Sequence, residues 1–347
     1  MRPAVSAWFD RRTSTASQWS APALAAAKNA ADITVSVVLP ALNEQETVGS
    51  IVATIRRDLM DGEDPLVDEL VVIDSGSHDD TAHVASAAGA QIIRRDDVLP
   101  RLPAVPGKGE AMWRSLAATS GDVIVFIDAD LRSFTPAYVV GLLGPLLTDP
   151  TVSLVKAMYE RPYDSGSTLV HAGGGRVTEL VARPLLNLHW PELSGVVQPL
   201  AGEYAARRAL LERLPFPCGY GVEFALLVDT LELLGLDAIA QVDLGVRLHR
   251  HHDERRLGRM AGEILQTAYD RLDPSGVLRR THGLGSTLSQ FDRGDDGFEV
   301  TTYEIAGLQR PPMETIAEYA ATRGLARVVV AEDYDEDALG QTRRGLD

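Results

Sequence analysis

Residues 121 to 134, GDVIVFIDADLRSF, run an apolar strand into two carboxylates, Asp128 and Asp130, held one residue apart. In extended chain alternate side chains point the same way, so the pair could converge on one hard cation that accepts oxygen ligands. A solvated turn also explains it, because Asp is common where strands end. Asp130 is the better direct ligand, while Asp128 could reach the cation through water, hold a ribose hydroxyl, or cap a turn. A coordination sphere of about six needs a further segment. The stretch RLHRHH offers His249, flanked by Arg247 and Arg250, although a His cluster is as readily solvated surface.

Other residues at strand ends and helix starts suit an anionic, hydroxyl-rich ligand. Glu44 and Asp74 are acceptor-only groups when ionised, placed for a ribose diol and the N–H of a base. Asn43 and Glu46 read as a helix capping box. Lys108 stands between glycines in PGKGEAMWR, at a helix start where it could neutralise phosphate or a sugar oxygen, but the stretch is not a Walker A motif. In HAGGGRVTE, Gly173, Gly174 and Gly175 let backbone amides approach an anion, and Arg176 and Thr178 add a guanidinium and a hydroxyl. The pattern suits a phosphate or carboxylate cradle, or a hinge. Tyr220 and Glu223 in PCGYGVE open another helix. Glu223 could hold sugar hydroxyls or favour the helix dipole.

These residues need a scaffold that gathers them. From residue 33 the chain alternates apolar strands with amphipathic helices: a buried strand, a Pro-containing turn and a helix in ITVSVVLPALNEQETVGSIVATIRRDL, a strand ending at Asp74, a helix start at Ser77 and Asp80 with its end at Gly89, the strand QIIRRD, the helix GKGEAMWRSLAATSG and the strand DVIVFIDAD. Short loops between β and α segments imply a doubly wound, mainly parallel sheet with right-handed crossovers. Such strands end on one edge, so Asn43, Glu44, Asp74, Asp128 and Asp130 should meet in one crevice. The segment VSLVKAMYER, a helical stretch RVTELVARPLLNLH, the helix GVEFALLVDTLELLG, a last strand AIAQVDLGVRLHRHH and a helix near 254 to 272 follow. The expected organisation is an N-terminal extension over 1–32, containing a short helix in APALAAAKNA, and a nucleotide-sugar half over 33–160. An acceptor-binding and metal-completing half over 161–272 follows, then a C-terminal extension over 273–347 with a mobile acidic tail.

Composition bounds the partners. The 347 residues are 45% hydrophobic and 24% charged, an ordinary globular balance. A net charge of −16 argues against nucleic acid or an anionic membrane as partner. The apolar runs are too short to span a bilayer, and Cys218 is the single cysteine, so the reading is a reducing, cytoplasmic protein without disulfides.

Taken together, the segments VSVVLPALNE, VIDSGSHDDT, PGKGEAMWRSLAATSGDVIVFIDAD, GGGRVTELVARPLL, QPLAGEYAARR, GYGVE and DAIAQVDLGVRLHR resemble the GT-A glycosyltransferases. More narrowly, they are similar to the glucosyl-3-phosphoglycerate and mannosyl-3-phosphoglycerate synthases. The likeness covers about residues 33 to 260. It implies a Rossmann-like GT-A sheet with a C-terminal acceptor-binding subdomain and a homodimer. The implied reaction is retaining transfer from a nucleotide sugar, UDP-glucose first and GDP-mannose as the alternative, to the 2-hydroxyl of 3-phosphoglycerate with Mg2+ or Mn2+. It implies donor contacts at Pro40, Ala41, Leu42, Glu44, Asp74, Lys108, Asp128, Ala129, Tyr220, Glu223 and Arg247, and acceptor contacts at Gly175, Arg176, Thr178 and His251. Metal would sit on Asp130 and His249, and the catalytic set would be Lys108, Asp130, Arg176, Glu223 and Arg247. After His249 the family continues Arg, Asn, Arg, whereas this chain has Arg250, His251 and His252. Imidazoles in place of an amide and a guanidinium make the grip on phosphate weaker or more pH-dependent. A sugar-phosphate nucleotidyltransferase is the enzyme rival, but its Gly-rich signature belongs after the first strand, where PALNE stands. A non-catalytic nucleotide-sugar sensor is the other.

Overall fold

A computed structural model describes residues 2–164, 169–172, 175–246, 254–273, 283–294, 297–305 and 307–324. Arg247, His249, Arg250, His251, His252, Gly173, Gly174 and the tail from residue 325 lie outside them. The chain opens with α1 (Pro3–Arg12), β1 (Thr13–Thr15) and α2 (Ala21–Ala30). The alternation follows as β2 (Val35–Ala41), α3 (Val48–Ile55), β3 (Glu69–Asp74), α4 (Thr81–Ala87), β4 (Gln91–Arg94), α5 (Lys108–Ala118), β5 (Val123–Phe126) and α6 (Ala137–Thr148). Next come β6 (Leu154–Asp164), β7 (Leu169–Ala172), α7 (Arg183–His189), β8 (Tyr204–Arg207), α8 (Arg208–Leu211), β9 (Phe216–Pro217), α9 (Val222–Leu234) and β10 (Ile239–Val246). The described chain ends with α10 (Glu254–Leu272), β11 (Thr287–Gly294), β12 (Gly297–Glu304), β13 (Gln309–Arg310) and α11 (Ala317–Arg323).

The main sheet runs β1-β10-β6-β8-β5-β2-β3-β4, with β7 paired to the far end of β6. Along that path β8 is antiparallel to both neighbours, and the other pairs are parallel. Central strands read as continuous apolar runs because both faces are covered. In β5, Ile124 and Phe126 enter one core with Trp113 of α5 and Phe224 of α9, while Val123 and Val125 enter another with Ile51 of α3 and Leu142 of α6. Helices on both faces make the fold doubly wound and mainly parallel, as the sequence alternation requires.

Residues 1–32, expected as an extension ahead of the sheet, supply its edge strand. Ser14 of β1 registers with Val242 of β10, Trp8 is 1% exposed, and its Nε1 donates to the Ile239 carbonyl at 2.9 Å. Two local expectations differ from the structure. Asn43 and Glu46 form no capping box: α3 begins at Val48 after Thr47, Asn43 takes a positive φ of 59°, and its Oδ1 accepts from the His78 amide at 2.9 Å. Glu46 instead pairs with Arg132 at 3.2 Å. Likewise Ser77 and Asp80 do not cap α4 with their side chains. Asp79 accepts from the Thr81 amide at 3.0 Å, and the Ser77 hydroxyl accepts from the Asn43 amide at 2.9 Å. In both places the side chains stitch one loop to its neighbour, a tertiary demand that overrides local capping.

Candidate active site

The loops after β2 and β3 lie side by side because their strands pair in register, with Ala41 opposite Asp74. The Glu44 amide donates to Thr81 Oγ1 at 2.7 Å, and the Asp80 amide to Gln45 Oε1 at 2.9 Å. Pro40 and Ala41 end β2, Leu42 is exposed, and Asp74 is buried at the last position of β3. The Asp74 carboxylate accepts from the Ser77 amide at 3.1 Å. These residues form one wall at the carboxyl rim, where an open α/β sheet takes its ligand.

Beside it, β5 ends at Phe126 and releases Asp128, Ala129 and Asp130. Thr47 donates to the Ala129 carbonyl at 2.6 Å, fixing this turn to the start of α3. Asp130 is exposed, and Asp128 meets the ammonium of Lys108 at 2.6 Å. Lys108 also meets Glu223 at 2.8 Å. The two reach each other because α5 and α9 begin at the same edge on one face of the sheet. Gly107, with φ of 130°, lets the chain turn into α5, and the carbonyl of Cys218 packs so closely on it that no Cβ fits. Burial by itself would discharge Lys108, yet the carboxylates of Asp128 and Glu223 hold it well above the ordinary lysine value. The result is an ammonium clamped between two carboxylates, with Glu223 buried and Lys108 and Asp128 partly open to the rim. Such a trio can donate to and accept from sugar hydroxyls while keeping fixed geometry.

Tyr220 precedes α9 on a loop held by α10: its amide donates to Glu263 at 2.6 Å, and its hydroxyl accepts from Arg256 at 3.2 Å. Gly175, Arg176 and Thr178 open the helical segment that leads into α7, with Arg176 exposed and Thr178 buried. That segment carries a π-turn over Thr178–Ala182, a local widening often found where a helix serves a site. It packs on α10, which also packs on α9. Thus Lys108, Asp128 and Glu223 are in direct contact, Pro40, Ala41, Leu42, Glu44, Asp74, Ala129 and Asp130 stand on the adjoining rim, and Tyr220 belongs to the same loop as the α9 start. The expected roles of Arg247, His249 and His251 fall on residues outside the described chain.

The donors at the rim suit a hard divalent cation, since Asp130 and Asp128 present carboxylate oxygens and the one cysteine is buried. Burial pushes the Cys218 thiol up to about 12, which removes it as a ligand or nucleophile. Among the described residues no cluster of three or more His, Cys, Asp or Glu could hold a metal.

Behind the trio lie residues that the sequence reading did not single out. Lys156 of β6 is 1% exposed and Glu203, just before β8, is 0% exposed. The available signal was a lysine inside the mostly apolar VSLVKAM.

A mainly parallel sheet with ligand loops at one rim and carboxylates at the end of a central strand defines a GT-A glycosyltransferase. Residues 36–192 match the family model described as glycosyl transferase family 2. Over 306 residues the chain is 51% identical to the glucosyl-3-phosphoglycerate synthase of Mycobacterium tuberculosis, covering 86% of this chain and 90% of that one. The chain belongs to the glucosyl-3-phosphoglycerate synthase family. The M. tuberculosis enzyme in complex with Mn2+, UDP-glucose and phosphoglyceric acid superposes with a TM-score of 0.74 at 49% identity, covering 85% of this chain and 95% of that one. Mannosyl-3-phosphoglycerate synthase from Rubrobacter xylanophilus gives a TM-score of 0.82 at 40% identity, covering 89% and 97%. Among the described residues no helix is long and apolar enough to cross a membrane.

Proposed function

We propose that this glycosyltransferase moves glucose from UDP-glucose to the 2-hydroxyl of D-3-phosphoglycerate with retention at the anomeric carbon, and that it works in the cytoplasm. The observation that carries the reading is the Lys108–Asp128–Glu223 trio at the rim, in a chain about half identical to glucosyl-3-phosphoglycerate synthases. Asp128 and Glu223 accept from the sugar hydroxyls, and Lys108 donates to the donor while its own charge stays balanced. Pro40, Ala41, Leu42, Glu44 and Asp74 hold the nucleoside, and Gly175, Arg176 and Thr178 seat the acceptor's phosphate or carboxylate. The family resemblance assigns Arg247 to the diphosphate and His251 to the acceptor. Asp130 and His249 would hold Mg2+ or Mn2+, which when bound neutralises charge on the departing diphosphate. Attack from the sugar face that the diphosphate leaves keeps the configuration.

GDP-mannose is the second donor reading, favoured by the likeness to the Rubrobacter mannosyl enzyme. A matrix of nucleotide sugars with D-3-phosphoglycerate and Mn2+, read by NMR of the product, tests both. Glucosyl-3-phosphoglycerate of retained configuration is the expected product, whereas release of pyrophosphate, or UDP-glucose binding without product, would sink the reading. The assembly is proposed to be a homodimer. Its support is the β11–β12 hairpin, which leaves the register partners Phe291 and Val300 exposed, and a two-stranded hairpin is marginal without a covering surface. Sedimentation equilibrium at twice the mass of the chain is expected.

A further inference from the structure

The antiparallel course of β8 gives the rim a backbone element that a purely parallel sheet would lack. Because β8 runs against β5, it starts where β5 ends, with Tyr204 opposite Phe126. The residues just ahead of it are therefore delivered to the site. Gly202 packs against the Asp128 carboxylate and the Lys108 ammonium so closely that a Cβ would collide with both. This stretch of chain is pinned from behind by β6. The Ala157 amide donates to the Glu203 carbonyl at 3.1 Å, Gln198 donates to the Tyr159 carbonyl, and Lys156 Nζ donates to the Ala201 carbonyl at 2.5 Å.

Of these anchors Lys156 alone carries charge. It lies opposite Tyr204 in the ladder, its ammonium 4.7 Å from the centre of that ring, and the charged groups that face it are Glu223, Lys108, Glu203 and Asp128. Glu203 in turn accepts from the Tyr159 hydroxyl at 3.0 Å. A buried ammonium is costly to desolvate, and a strand position that required only packing would be served better by Leu or Met. An uncharged side chain would also leave the Ala201 carbonyl without the donor that the lysine supplies.

We propose that Lys156 is a positioning residue for sugar transfer, holding Ala201 so that Gly202 sets Asp128 and Lys108 in place, and supplying a second positive charge behind the carboxylates of Asp128, Glu203 and Glu223. The proposal rests on the glycosyl-transfer reading of the trio. Lys156 touches no substrate and acts through the Ala201–Glu203 backbone and the charge it brings to the trio. Burial is the main influence on its own proton and brings it down to about 8, with Glu223 opposing and Lys108 adding to that fall.

The test is Lys156→Met in the full chain, with kcat, the KM for 3-phosphoglycerate, calorimetric affinities for UDP and for UDP-glucose with Mn2+, and thermal unfolding measured together. The expected result is a kcat lower by about a hundredfold with KM for 3-phosphoglycerate and UDP affinity within about threefold, and UDP-glucose affinity lowered by about tenfold relative to UDP. A folded variant with kcat and UDP-glucose affinity within about threefold of the parent overturns the proposal, and so does a parallel fall of kcat and UDP affinity, which marks a merely structural lysine. Should Lys156→Met not fold, Gly202→Ala reads the same backbone with the lysine in place. It is expected to show the same split, and parental kcat in that variant overturns the proposal. A parent that transfers no glucose to 3-phosphoglycerate counts against the proposed acceptor, while the UDP against UDP-glucose comparison still decides the role of Lys156.

Discussion

Lys108 and Lys156 are two ammonium groups near the same carboxylates with opposite titration behaviour, because burial outweighs the carboxylates that face Lys156 whereas the carboxylates touching Lys108 outweigh burial. Lys108, touching Asp128 and Glu223, is held well above the ordinary value and stays charged throughout the working range. Replacing it by Met leaves those two carboxylates close together without their cation, so kcat/KM for the sugar donor should fall by at least about a hundredfold in steady-state assays. Lys156 falls from the ordinary 10.5 to about 8. Its folded value is the lower one, so the unfolded chain binds the extra proton between about 8 and 10.5, and its contribution to stability rises with pH across that window. Activity should move the other way, with kcat declining above about pH 8 as the ammonium is lost, and Lys156→Met should lack that limb. A pH series of kcat beside urea midpoints checks both signs. Lys108, Asp128 and Glu223 were legible in the sequence because each stands at a strand end or a helix start. Lys156 was not, because a lone charged residue in an apolar strand reads as the solvent side of that strand, whereas in the fold β6 is an interior strand between β8 and β10 and the lysine is buried.

At the scale of elements, what places Lys108 is the way the start of α5 is locked. Gly109 lies against the carbonyl of Pro217 with no room for a Cβ. Glu110, fully buried, accepts from Arg114 Nε at 2.6 Å and from Arg310 Nε at 2.7 Å. Arg310 belongs to β13, which pairs with β9, so one carboxylate ties the C-terminal part of the described chain to the helix that presents Lys108. Glu110→Ala leaves two buried guanidiniums uncompensated and should cost about 3–5 kcal/mol in urea unfolding. The β-α alternation and most helix positions were legible from periodicity. The loop stitching around Asn43 and Ser77 was not, because those side chains have local capping partners in sequence and cross-loop partners in space. The antiparallel direction of β8 left no mark in YAAR, because three apolar residues and an arginine carry no sign of strand direction.

For the whole molecule, the edge of the main sheet depends on residues that look dispensable in the sequence. The three residues of β1 have no hydrophobic pattern to announce a strand, and they become one by pairing along β10. Their attachment is made by Trp8 and by Arg12, which meets Asp149 at 2.5 Å and Thr151 at 2.9 Å. Removing residues 1–18 strips Trp8 from the core, a loss on the order of 3–5 kcal/mol by comparison with Trp→Ala changes, and bares the backbone of β10 as a pairing edge. The truncated chain should unfold at lower urea and aggregate on concentration, while the fraction that stays folded keeps its kcat because the carboxyl rim is built by other segments. Unfolding curves, light scattering and an active-site-normalised rate separate these outcomes. The same contact has an acid signature. Hydrogen bonds from Thr151 and Arg12 lower the Asp149 carboxyl to about 2 from 3.8, so its contribution is fully present above the unfolded value and is lost as pH falls through about 2. Asp149→Asn should therefore lower stability at neutral pH and narrow its gap to the parent as the solution is acidified over that interval. A gap that stays constant with pH would assign the anchoring to Trp8 and the β1 ladder alone.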